Sequence, residues 1–152
     1  MQILVAVVER LIQAPPDQVF SVLKDGWSYS DWVVGTAHIR AVDPQWPAVG
    51  SRLYHKVGPW PVSVRDRSEV LSCAEPTELV LRARMWPLGE AKVILRLSDT
   101  GDGGTRVTIE EDFKAGPLRW IRTKVNDLLL HARNVETLRR LGDLAVRREA
   151  AL

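Results

Sequence analysis

The rhythm of apolar and polar positions changes once along this chain. Up to about residue 116, apolar residues alternate with polar ones or cluster in short runs, broken roughly every ten residues by proline, glycine or acidic turns. From 117 to 149 they recur at steps of three and four. The first regime predicts β-strands and the second a helix. Ile3 to Gln13 is rich in β-branched residues and stops at Ala14-Pro15-Pro16-Asp17. Pro16 and Asp17 suit the first turn of a helix, where a missing amide hydrogen costs little and an acid meets the positive helix end. Val19, Phe20, Val22 and Leu23 give that helix one apolar face, and Asp25-Gly26 ends it. A second short helix holding Tyr29, Trp32 and Val33 stops at Gly35. Six further strands follow: Ala37 to Val42, Ser51 to Val57, Val62 to Leu71, Leu79 to Trp86, Ala91 to Leu97 and Arg106 to Phe113. The breaks carry turn chemistry, most clearly Asp99-Thr100-Gly101-Asp102-Gly103-Gly104. Spacing of this kind suits an antiparallel meander.

In the closing helix Leu118, Ile121, Val125, Leu128, Ala132, Val135, Leu138, Leu141 and Ala145 share one stripe. At 1.5 Å per residue it runs on the order of 50 Å, and a curved sheet is the natural cover for so long an apolar face. Alternation assigns the strand faces. Leu79, Leu81, Ala83 and Met85 oppose Arg82 and Arg84, and Ala91, Val93, Leu95 and Leu97 oppose Lys92 and Arg96. The same rule puts Glu111 with Val107, Ile109 and Phe113, and His55 with Leu53 and Val57, so two ionisable groups fall on inner, apolar faces. Arg52 and Tyr54 then point outward.

The 152 residues, 45% hydrophobic and 26% charged, can bury one substantial core, and residues 1–152 are read as a single domain. No stretch approaches the roughly 18 apolar residues of a membrane span, and the apolar start is too short for a signal peptide. Cys73, the single cysteine, excludes an internal disulfide and any cysteine-paired zinc site. A cytoplasmic setting is expected. The net charge of +2 does not argue for nucleic acid, although residues 117 to 149 hold eight Arg or Lys against four acids. A solvated helix face with pairs such as Glu136 to Arg140 accounts for most of that excess, and an anionic partner is the alternative.

Three runs, Asp31-Trp32-Val33-Val34-Gly35, Trp46-Pro47-Ala48-Val49-Gly50-Ser51 and Gly104-Thr105-Arg106-Val107-Thr108, join the order of elements in a familiar outline. The chain resembles the polyketide cyclase/dehydrase branch of the START-like helix-grip superfamily over nearly its whole length. The resemblance implies an α+β helix-grip fold, in which a seven-stranded curved antiparallel sheet wraps the long C-terminal helix around a hydrophobic cavity and two short helices bridge strands one and two. It sets a ligand class without supplying a reaction. The expected wall is Trp32, Leu81, Ala83, Met85, Val93, Ile109, Phe113, Val125 and Leu128, with Glu111 and His55 as the candidate catalytic pair.

A carboxyl on an apolar wall has a raised pKa and serves as a general acid or base on a ketone-rich substrate. Two readings of Glu111 stay open, this one and a twisted strand that lets it reach solvent or an arginine. His55 either shares the proton transfer or is satisfied by a backbone carbonyl or at the cavity mouth. Trp27, Trp32, Trp46 and Trp60 are candidates for the rim, with packing as the default for each tryptophan. No nucleophile elbow, zinc-binding helix, phosphate loop or dinucleotide fingerprint is present, and His38, His55 and His131 sit on separate elements, so no metal and no cofactor is expected. The expected partner is a hydrophobic small molecule, bound for cyclisation or dehydration of a polyketide-like substrate. A non-catalytic lipid, quinone or isoprenoid carrier and an interaction module using the basic helix face are the rivals. A homodimer is compatible with all three.

Overall fold

A computed structural model describes residues 5–57, 64–85, 89–115 and 124–150. The helix start expected at 117, with Leu118 and Ile121, and also Trp60, Trp86 and Trp120, lie outside them. Strand β1 (Val5–Ile12) is followed by α1 (Pro16–Lys24), a 3-10 turn at Gly26–Ser28 and α2 (Tyr29–Trp32). Strands β2 (Thr36–Val42), β3 (Arg52–Val57), β4 (Val64–Ala74), β5 (Glu78–Met85), β6 (Gly89–Asp99) and β7 (Thr105–Ala115) come next, then helix α3 (Lys124–Ala150). All seven strands form one antiparallel sheet in the order β1-β7-β6-β5-β4-β3-β2. This is the helix-grip arrangement expected. Every expected strand is present, several extended by one to three residues where pairing continues past the last apolar position.

Local chemistry explains the boundaries. Pro16 opens α1, Asp17 lies in its first turn and Lys24 in its last, and Val19, Phe20, Val22 and Leu23 are buried. At Gly26 the backbone passes so close to Val42 that an added Cβ would come within 2.8 Å of a valine methyl, so a larger residue would force Val42 to shift. The Trp46 indole N–H donates to the Leu23 carbonyl at 3.1 Å, and its ring meets Tyr29 edge-on at 5.8 Å. Trp46 therefore packs the helical insert against the sheet instead of lining a rim, while Trp27 is exposed. The β6–β7 turn holds Gly101 and Gly103 at positive φ, with the Gly101 N–H on the Asp99 carboxylate.

Helix α3 packs chiefly on β1, α1 and α2. Its covered face is Asn134, Thr137, Leu138, Leu141 and Ala145, all buried. Here the expected stripe is corrected: Leu128 is 68% exposed, and Ala132 and Val135 are exposed as well. At 100° per residue, Leu128 lies about 80° round the helix from Leu138. Steps of three and four alone let the stripe drift off the face that packing selects. The basic positions of the helix are largely committed to acids. Arg139 and Arg140 both pair with Glu136, at 2.7 and 3.0 Å, holding its carboxyl down to about 2, and Arg148 bonds Asp25 at 2.7 Å. No described helix is long and apolar enough to cross a membrane.

Candidate functional site

Because α3 lies over the β1 side of the sheet, the inner faces of the middle strands are left without a packed cover. A cavity of about 160 Å³ remains there. Leu81 and Ala83 on β5, Val93 and Leu95 on β6 and Ile109 on β7 form its apolar wall. Tyr29, Trp32 and the segment Val33–Thr36 close a second side, and Arg133 and Thr137 of α3 a third. The Val34 N–H donates to the Thr137 hydroxyl at 3.2 Å, tying the α2–β2 connection to the helix. The space is comparable with the roughly 150 Å³ engineered cavity that takes up benzene, so a ring-sized group fits inside.

Both inner-face ionisable residues reach this space. Glu111 is 1% exposed, opposite Val93 on β6 and Ala6 on β1. Its Oε1 accepts from Nη2 of Arg133 at 3.0 Å, and Arg133 is itself only 26% exposed. Both readings of Glu111 are thus partly realised: it stays on the inner wall and also pairs with an arginine. An isolated buried carboxylate would face a large desolvation cost, and the guanidinium from the facing helix offsets it. His55, 4% exposed, shares a 3.0 Å hydrogen bond between Nε2 and the Ser68 hydroxyl. Burial lowers its pKa, Arg40 lowers it further, and Asp66 opposes them. The neutral imidazole is therefore the ordinary form near pH 7. No hydrogen bond joins His55 to Glu111 among the described residues, so the two expected catalytic groups share the cavity without forming a relay.

The polar atoms of the wall share one property. Glu111 Oε2, Arg133 Nε, Tyr29 Oη, Trp32 Nε1 and His55 Nδ1 are buried without a protein hydrogen-bond partner among the described residues. Burial also raises the Tyr29 phenol above its usual range, so it is present as a hydrogen-bond donor. A buried donor or acceptor left unmade costs on the order of 1–3 kcal/mol. Five around one cavity mark a place where the fold leaves polar capacity for something other than itself.

Of the expected wall residues, Trp32, Leu81, Ala83, Val93 and Ile109 line the space. Leu128 does not, for the reason of helical phase given above. The side chains of Met85, Phe113 and Val125 lie outside the described ones. Tyr29, Ser68, Arg133 and Thr137 were not singled out from the sequence. Tyr29 was legible only as a helix residue, and Arg133 reads as surface until Glu111 appears opposite it.

Residues 4–145 match the family described as polyketide cyclase/dehydrase and lipid transport. No curated protein matches the sequence. Among solved structures, a protein of Nitrosomonas europaea shares 18% identity at a TM-score of 0.73, covering 97% of both chains. The Zhui aromatase/cyclase from a Streptomyces species shares 17% at 0.72, covering 97% of this chain and 96% of that one. A protein from Arthrobacter aurescens shares 15% at 0.73, covering 95% and 87%. At these identities the likeness is one of fold.

Proposed function

We propose that this chain, which belongs to the polyketide cyclase/dehydrase and lipid-transport family, binds a hydrophobic small molecule bearing oxygen functions in the cavity between the sheet, α2 and α3. The observation that carries this reading is the pairing of an apolar wall with five buried polar atoms that have no partner among the described residues. An aliphatic lipid tail needs only the wall. A keto or hydroxyl ligand also satisfies the donors of Tyr29, Trp32 and Arg133 and the acceptor of Glu111.

The enzymatic form of the proposal is a cyclisation followed by dehydration. Glu111 Oε2 removes a proton from a carbon beside a carbonyl, and the Arg133 Nε–H donates to the oxygen on which negative charge develops. The carbanion forms a carbon–carbon bond to a second carbonyl of the same molecule. The resulting alkoxide recovers the proton, and loss of that hydroxyl with a hydrogen from the adjacent carbon, as water, leaves a double bond in the ring. Holding both carbonyls of one chain together contributes several kcal/mol of barrier reduction. A carrier function is the second reading, favoured by the commitment of Glu111 to Arg133 and of His55 to Ser68.

Native mass spectrometry of protein gently purified from its own host tests the binding claim, with an oxygenated lipophilic adduct that is lost on denaturation as the expected result. Bare protein across growth conditions, with no uptake of simple polyketones or phenols, would remove it. Given a substrate, Glu111→Gln separates the two readings: turnover falls by a factor of 10² or more if the carboxylate moves protons, while retention without turnover in the wild type leaves the carrier.

A further inference from the structure

The outer face of the sheet carries a second concavity, on the opposite side from the apolar wall, of about 340 Å³ and lined by Arg40, Tyr54, Arg65, Asp66, Arg67 and Arg84. Four guanidiniums meet there with one carboxylate. Their placement follows from register. Between β2 and β3 the pairing shifts from Ile39↔His55 to Ala41↔Tyr54, which leaves Arg40 as the extra residue of a bulge. Bulges re-aim side chains. Between β3 and β4, Tyr54 faces Arg67 and Lys56 faces Arg65. A directly opposed pair of like charges is destabilising, and three more arginines, Arg40, Arg67 and Arg84, line the concavity that Arg65 enters.

Several arginines elsewhere on the surface are matched closely. Arg96 holds Glu110 at 2.6 Å, Arg139 holds Glu136 at 2.7 Å and Arg148 holds Asp25 at 2.7 Å. In the concavity, Arg65 and Arg67 have no carboxylate within ion-pair distance among the described residues. Arg84 reaches Asp66 and Glu90 only at 3.9 and 3.7 Å. Among the described residues, Arg40 meets a backbone carbonyl at 3.5 Å and the Tyr54 ring at 6.0 Å. Among the described residues, the four guanidiniums are thus assembled around a single lining carboxylate, Asp66.

We infer that this outer concavity is a binding site for a phosphoryl group, carried by a soluble phosphate ester or by a lipid headgroup. Planar guanidiniums present paired N–H donors that match phosphate oxygens, and several together suit a dianion better than a carboxylate. A phosphate seated here offsets the mutual repulsion of the four arginines, and Tyr54 lines the same concavity. Tyr54, Arg65, Arg67 and Arg84 alternate with the cavity-facing residues of their strands, while Asp66 stands opposite His55 in register, and the assignment does not rest on the function proposed for the cavity.

The probes are inorganic pyrophosphate, titrated at 150 mM salt while backbone amide resonances of residues 65–67 are followed by NMR, and sedimentation with vesicles of phosphatidylcholine alone or with 30% phosphatidylglycerol. Saturable shifts with pyrophosphate assign a soluble ester, and sedimentation only with the anionic vesicles assigns a headgroup. Arg65→Gln/Arg67→Gln is expected to weaken whichever binding is seen by tenfold or more, while Arg139→Gln/Arg147→Gln, a change of equal charge on α3, leaves it within twofold. Absence of binding in both arms, or equal weakening by the two double variants, would overturn the assignment. Unchanged circular dichroism and melting of each variant shows that the loss is not one of fold.

Discussion

The two ends of α3 rest on the same sheet under different rules. Toward its C-terminus Leu138, Leu141 and Ala145 are fully buried against α1 and β1. The polar groups there are matched: Gln18 donates to the Ala145 carbonyl at 2.6 Å and Arg148 bonds both Asp25 and the Ser21 carbonyl. From Thr137 toward the N-terminus, Thr137 and Arg133 face a hollow, and Leu128 and Leu129 point into solvent. Polar atoms buried without partners among the described residues gather at that end and include the amide nitrogen and oxygen of Asn134. Close packing and hydrogen-bond satisfaction travel together at one end and are both given up at the other, which is how a fold keeps stability and a site on one element.

The packed end should respond most to mutation. Leu141→Ala removes a fully buried side chain from a region with no space to collapse into, and a loss of about 3 kcal/mol is expected from the shift in denaturation midpoint at constant m. A loss below about 1 kcal/mol would mean that this end is no better packed than the other. At the hollow end, Glu111→Gln keeps the shape and leaves Arg133 facing a neutral amide. Because Arg133 remains in contact with solvent, the expected loss is smaller, about 1–2 kcal/mol. Adding Arg133→Met should recover part of it, and strict additivity of the two changes would show that the pair is not coupled.

His55 sharpens the comparison through pH. Its pKa is lowered in the folded state, first by burial, from an unfolded value near 6.5. The unfolded chain therefore binds the proton more readily. The contribution of the neutral imidazole is complete above about pH 6.5 and declines as the pH falls from there. Between pH 7.5 and 5.5 the wild type should lose more stability than His55→Asn, measured by denaturant unfolding at each pH. Equal losses would place the acid sensitivity in other groups and make the Ser68 side of the hollow a neutral bystander.

The strands were legible because their period leaves little freedom. One buried residue fixes the face of every other, so Leu53 places His55 and Val107 places Glu111, two strands from any knowledge of the fold. The helix offered no such anchor. A three-and-four step is satisfied by stripes that differ by tens of degrees, and the one chosen from the sequence suits Leu138 to Ala145 but rotates away before Leu128. Arg133 was hidden for a related reason. A long cation on a helix is by default solvated, and only the carboxylate 22 positions earlier in the chain, brought opposite by the grip, gives it a buried partner. Tyr29 and Thr137 entered the site through the α2–β2 connection, whose course no local pattern specifies.

The smallest expected effect tests that rotation directly. Leu128→Ser places a polar side chain where the expected stripe had cavity wall and where the structure has solvent. Helix propensity changes only slightly, and exposed substitutions of this kind stay within about 0.5 kcal/mol. Thr137→Ala, nine residues on, removes the hydroxyl that accepts the Val34 amide and should cost more, near 1–2 kcal/mol, although it deletes less apolar surface. That order, the smaller side chain costing more, holds only if the hollow lies on the Arg133–Thr137 face. The reverse order in parallel denaturation curves would return the wall of the cavity to Leu128 and undo the division of the helix into a packed and a hollow end.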